Sequence, residues 1–179
     1  MTLAVTRPAY SAVHRVLHWL IALCVIAAIT AGISMNSVDP GPLQNQLYEW
    51  HWSLGATIFV LMLLRLVTRF ASPPKPLPAS VPRWQQAAAH TVHAALYVAL
   101  LVQPILGYIG KAAFGGTIPY FGLFDIPVLI EKDQAMAQWV LGVHFYFGFV
   151  ITGLVVVHVT AALYHAVKLD GVFNRMVTG

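Results

Sequence analysis

The chain has 179 residues, 59% of them apolar and only 9% charged, with a mean hydropathy of +0.74, whereas a soluble domain carries about 25% charged residues. Ten Lys and Arg with six Asp and Glu cannot coat a water-exposed surface, so the composition excludes an ordinary soluble domain and points to a protein embedded in lipid. The formal net charge of +4 sits at the ends of apolar segments and forms no stripe, which excludes nucleic acid as a partner and leaves membrane lipid.

Four apolar stretches, approximately 14–35, 48–70, 86–110 and 136–167, are each long enough to cross a hydrocarbon core of about 30 Å. They predict an all-α integral membrane protein, a four-transmembrane-helix bundle forming one domain over residues 1–179. The first stretch is too long for the apolar region of a cleaved signal peptide and carries His18 and Trp19, so it reads as a membrane helix. It also holds Cys24, the single cysteine, which rules out an intrachain disulfide. The second stretch opens near His51 and ends on Arg65 and Arg69. A proline-rich connector over 71–82 follows, expected to be extended because proline donates no hydrogen bond and restricts its predecessor. His90 and His93 open the third stretch. The outer connection, 111–135, is rich in Gly, aromatic and Pro residues and is expected to lie on the membrane interface as a lid. His144 and His158 lie on the fourth stretch. No internal repeat is evident.

Four crossings put both termini on one side. Arg7, Arg15, Arg65, Arg69, Lys75, Arg83, Lys168 and Arg175 fall on that side, against Lys111 and Lys132 on the other. This bias predicts cytoplasmic termini. The outer side also carries Asp39, Glu49, Asp125, Glu131 and Asp133, so it is net acidic.

All eight histidines lie in or beside the apolar stretches, and ionisable groups at membrane depth usually mark a functional site. Any one of them reads equally as a hydrogen-bonded packing residue, but the spacing on the fourth stretch argues for more. His144 and His158 are 14 residues apart, almost four turns, so both project from nearly the same face about 21 Å apart along the axis. One helix then offers an imidazole to each leaflet. For a flat porphyrin whose iron takes two axial nitrogens, each needs an opposite partner. In the outer half only His51 is available, giving His51 with His144. In the inner half both His18 and His93 lie at a suitable depth for His158, and depth alone leaves the choice open. Four glycines share faces with these histidines: Gly55 and Gly148 follow His51 and His144 by four, and Gly32 and Gly107 follow His18 and His93 by 14. Their expected role is close approach of a porphyrin to the helix.

The ordered set of His18-Trp19, His51, Arg65 and Arg69, the proline-rich loop, His90 and His93, then His144 and His158 resembles the prokaryotic cytochrome b561 family over nearly the whole chain. The resemblance is closest to its four-helix di-haem members that oxidise superoxide and reduce ubiquinone. It implies two haems b with bis-histidine iron, the inner held by His18 and His158 and the outer by His51 and His144. With no axial position open, such iron carries electrons and does not bind oxygen. The resemblance also associates the inner histidines with quinone, here His93 and His165, with His14 and His90 less suited. Arg65 is expected near an inner propionate, or as a snorkelling anchor. Lys111 and Lys132 are the only outer basic residues able to draw in an anionic substrate such as superoxide, and the acidic outer face opposes that role.

Two further functions compete with a superoxide:ubiquinone oxidoreductase. One is a haem-b membrane anchor joining a small soluble periplasmic redox protein to the quinone pool, which the acidic face favours. The other is a proton or metal transporter, suggested by the helical spacing of His14 with His18 and of His90 with His93. No carboxylate lies mid-membrane to assist a transporter.

Overall fold

A computed structural model describes residues 9–178; Arg7, one of the basic residues counted above, lies outside them. The order of elements is α1 (Ala12–Ser34), α2 (Pro42–Ala71), α3 (Arg83–Phe114), β1 (Ile118–Tyr120), β2 (Phe124–Ile126), α4 (Gln134–Lys168) and α5 (Asn174–Val177). The first four α-helices are all long and apolar enough to span a membrane. Hydropathy marks only the part of a helix that lies in hydrocarbon, and several helices run beyond it. α2 begins at Pro42, whose missing N–H costs nothing at the first helical position. α3 continues to Phe114 before Gly115 turns the chain at φ +100°, a conformation open to glycine at little cost.

α1 packs along α2, α3 along α4, and the two hairpins join along α2 and α3. The tightest apolar packing is on the first hairpin, where Leu17, Ile21, Val25 and Ala28 of α1 meet Ile58 and Met62 of α2. α4 is thinly packed for its 35 residues, burying only Ala137, Val140 and Ile151. Its exposed flank, including Trp139, Tyr146 and Phe149, suits lipid contact.

The connector after α2 has no regular structure, as its prolines require. It is tied to the start of the described chain by Lys75 N–H donating to the Ala9 carbonyl at 3.3 Å, and to its end by Arg175 donating to the carbonyls of Lys75 and Pro76. The Trp19 indole donates to the Met176 carbonyl at 3.0 Å. Both ends of the described chain therefore meet at one end of the bundle.

At the opposite end, the 111–135 connection contains an antiparallel hairpin, with Ile118 opposite Ile126 and Tyr120 opposite Phe124. This small sheet is the one departure from an all-α fold. Phe121 and Gly122 make its turn with φ +50° and +69°, and two α2 side chains, Ser53 and Thr57, secure it to that helix. Ser53, fully buried, donates to the Glu49 and Pro119 carbonyls and accepts the Phe121 N–H at 2.8 Å. Thr57 adds a 3.1 Å bond to the Tyr120 hydroxyl. Replacing Ser53 by Ala orphans the Phe121 N–H, a loss of about 1–3 kcal/mol. Hydrogen exchange should then accelerate about tenfold or more across 118–126 while α2 keeps its protection.

Candidate haem sites

The eight histidines separate into an outer pair and an inner cluster. In the outer pair, the rings of His51 on α2 and His144 on α4 face each other with centroids 5.9 Å apart and planes at 86°. His51 Nδ1 lies 2.9 Å from the Ala28 carbonyl of α1, and His144 Nδ1 lies 3.1 Å from the Gln103 carbonyl of α3. A carbonyl oxygen only accepts, so each Nδ1 carries the proton and each neutral ring keeps its lone pair on Nε2. Each ring is thus oriented by a main-chain acceptor on the preceding helix.

Glycines make this approach possible, in a different way from the expected one. A Cβ on Gly32 would meet the His51 ring at 3.0 Å, and a Cβ on Gly107 would meet the His144 ring at 3.1 Å. These two glycines therefore clear space for the outer imidazoles from across each hairpin. Gly55 has open space around it. Gly148 lies under the Gln103 amide, 3.5 Å from where its Cβ would be.

In the inner cluster, His158 is approached from both sides. The His18 ring stands 6.0 Å from it at 79°, and the His93 ring 5.3 Å from it at 67°. His93 and His90 are exposed on the flank of α3, whereas His18 and His158 are partly covered. Arg65 is drawn into this cluster. Its Nη1 donates to the His14 carbonyl at 3.1 Å, its guanidinium lies over the Tyr97 ring, and its charge acts on His14, His18, His93 and His158. His165 lies at the end of α4, its Nδ1 2.6 Å from Asp170.

The two outer lysines converge on the turn after α3. Lys111 Nζ donates to the Gly115 carbonyl at 3.1 Å and lies 4.6 Å from the Trp52 ring centre. The Lys132 stem packs against Gly115. The Lys111 charge is therefore shared with a carbonyl and an indole.

A sequence profile described as prokaryotic cytochrome b561 matches residues 9–179. "Cytochrome b561 homolog 2" of Escherichia coli K12 is 30% identical over 99% of this chain and 95% of its own length. The chain belongs to the prokaryotic cytochrome b561 family. "Cytochrome b561 homolog 1" of the same organism is 26% identical, covering 90% of this chain and 92% of its own length. A "Probable superoxide oxidase CybB" of Yersinia pestis is 28% identical over 94% and 95%. As a cytochrome b561 the protein is a membrane electron-transfer oxidoreductase, and the family binds haem b.

The donor set fits that group. A metal bound by two imidazoles needs two metal–nitrogen bonds of about 2 Å each plus the depth of two rings, about 6 Å between centroids, close to the separations of both facing pairs. In the outer pair the Nδ1–H bonds also leave both Nε2 atoms unprotonated, the arrangement that orients metal-bound histidines generally.

Two participants escape a sequence reading. Gln103 brackets His144: its carbonyl accepts the Nδ1 proton while its amide donates to the His144 carbonyl at 2.8 Å. A polar residue in an apolar stretch, four before a glycine, is the signal that marks it. Asp170 is the other. Burial, the largest influence, pushes its carboxyl up. The hydrogen bonds from His165 and the Val172 N–H, with the His165 and Lys168 charges, outweigh that and hold it below 3.8. A depressed carboxyl contributes stability in full above its unfolded value and loses it as pH falls through the folded one. Hydrogen-exchange protection of 170–178 should therefore be intact at neutral pH and decay below about pH 4, and Asp170→Asn should remove that decay.

Proposed function

We propose that the protein binds two haems b, one in each leaflet, and conducts electrons across the inner membrane between an outer donor and ubiquinone. The observation that carries this reading is the repetition of one facing imidazole geometry, 5.9 Å for His51 with His144 and 6.0 Å for His18 with His158, at two levels of one bundle. His51 and His144 hold the outer group. His18 and His158 hold the inner one, a choice supported by the match between the two separations and by the closer, more exposed approach of His93.

Haem b, once bound, supplies one-electron transfer between ferric and ferrous iron while the protein fixes position and electrostatics. Glycines 32 and 107 and the carbonyls of Ala28 and Gln103 hold the outer imidazoles in a single orientation. Apolar helix faces keep water from the centre. The positive-inside bias puts both termini in the cytoplasm.

At the inner end, His93 opens onto the flank of the bundle, where a lipid-dissolved quinone enters. His165, oriented by Asp170 through Nδ1, presents its other nitrogen for proton transfer to a reduced quinone oxygen. The outer donor in this reading is superoxide. Two superoxide anions each lose one electron and leave as oxygen, and one ubiquinone takes two electrons and two protons to become ubiquinol. The likeness to a relative named a probable superoxide oxidase supports this donor. Lys111 and Lys132, gathered at one turn, supply the local positive charge.

One observation favours a second reading, in which a small basic redox protein docks outside and the chain serves as its haem-b membrane anchor. The outer face is net acidic, and Lys111 is already engaged by Trp52 and Gly115. Stopped-flow mixing with superoxide separates the two. The oxidase reading expects reduction of the b-type bands faster than spontaneous dismutation, slowed severalfold by Lys132→Glu; no reduction beyond the dismutation control rejects it.

The ligand assignment has its own test. His51→Ala, His144→Ala and Gly107→Val should each remove one of two haems and spare the other. Loss of the same haem on replacing His18 or His158 would overturn the pairing.

A further inference from the structure

His14 is the one fully buried histidine among the described residues, 1% exposed, and half of its ring is unaccounted for. The Ser11 hydroxyl accepts the His14 backbone N–H and lies 2.9 Å from Nδ1. In the tautomer in which the Ser11 hydroxyl donates to Nδ1, the ring proton stands on Nε2. Nε2 is buried and has no partner among the described residues. Buried donors are almost always satisfied, so an orphan of this kind marks a group that binds there.

The Arg65 guanidinium is bonded to the same residue, its Nη1 donating to the His14 backbone carbonyl at 3.1 Å, and its charge acts on the His14 ring. Among the described residues no carboxylate pairs with Arg65. A cation at this depth calls for an anion. An N–H donor and a guanidinium together suit a carboxylate, whose two oxygens accept both. A quinone carbonyl would satisfy Nε2 but leave the charge uncompensated.

His14 precedes His18 by four residues, so the site lies on the same face one turn nearer the inner end of the bundle. From this we infer that His14 Nε2 and the Arg65 guanidinium bind a propionate carboxylate of the inner haem. The inference rests on the assignment of His18 and His158 to that haem. It makes His14 a haem-binding residue that coordinates no metal, and it separates His14 from the quinone site.

The test is an optical redox titration of the full chain, purified with its haem, as wild type, His14→Phe, His14→Gln and Arg65→Met. With a donor lost, more of the propionate's negative charge acts on the iron and favours the ferric state. The inner-haem step should therefore fall in potential in His14→Phe and Arg65→Met, and less in His14→Gln, which keeps a donor. The outer step should stay fixed, serving as the internal control for folding. An inner step unmoved in both His14→Phe and Arg65→Met overturns the inference, as does a shift confined to the outer step. A raised KM for quinone with unmoved potentials assigns the niche to quinone and overturns it equally. Should His14→Phe lose both haems, His14→Gln and Arg65→Met decide. A wild-type chain that carries a single haem instead rejects the two-haem assignment on which the inference stands.

Discussion

The bond from an imidazole Nδ1–H to a main-chain carbonyl of the preceding helix governs the outer half of this molecule. A neutral histidine has one proton for two nitrogens, and a carbonyl partner fixes which nitrogen carries it. His51 and His144 both spend that proton on a helix backbone, and both leave an Nε2 lone pair directed between the hairpins. The bond forms only where the facing helix lacks a side chain, which explains Gly32 and Gly107. A carbonyl that already serves in a helix accepts this second bond with its other lone pair, so the helices lose nothing by it.

The two hairpins use the same device with different trim. In the first, Ala28 supplies the carbonyl and Gly55 faces open space. In the second, Gln103 supplies it and extends its amide over Gly148 to the His144 backbone, so His144 is held at two points. No corresponding carbonyl bond is made by His18 or His158 among the described residues. The inner rings instead sit among other imidazoles and the Arg65 cation. Outer and inner sites are thus held by different means, one by backbone hydrogen bonds and the other by crowding and charge. If both pairs bind haem as proposed, that difference gives the two sites distinct electrostatic surroundings, and surroundings tune a haem potential.

Much of this was legible in the sequence. Hydropathy revealed four membrane helices because lipid demands long, uninterrupted apolar runs, and it missed the helix ends because Pro42 and Phe114 lie where water is available. His51 and His144 could be paired by elimination, since the outer half holds no other histidine. The inner pairing could not, because His18 and His93 share a depth and only three-dimensional packing shows that both rings touch His158. The glycines were seen but not the imidazoles they accommodate: spacing along one helix reports a shared face, not what crosses from the next. The repeated carbonyl–glycine–histidine unit was hidden because the donor and acceptor are 23 residues apart in the first hairpin and 41 in the second, where the 111–135 connection is inserted between them. The β-hairpin in that connection was unreadable, as three-residue strands carry no periodicity and its turn places Phe121 at positive φ. The role of Asp170 could not be read from the sequence, since its contact with His165 depends on how the chain turns after α4.

All of these arrangements lead to one expectation, that a chain this short holds two iron centres one above the other. A haem assay against protein concentration on the purified full-length chain addresses it most directly. The account predicts two non-covalently bound haems b per polypeptide; a saturated value of one, or none, would contradict it.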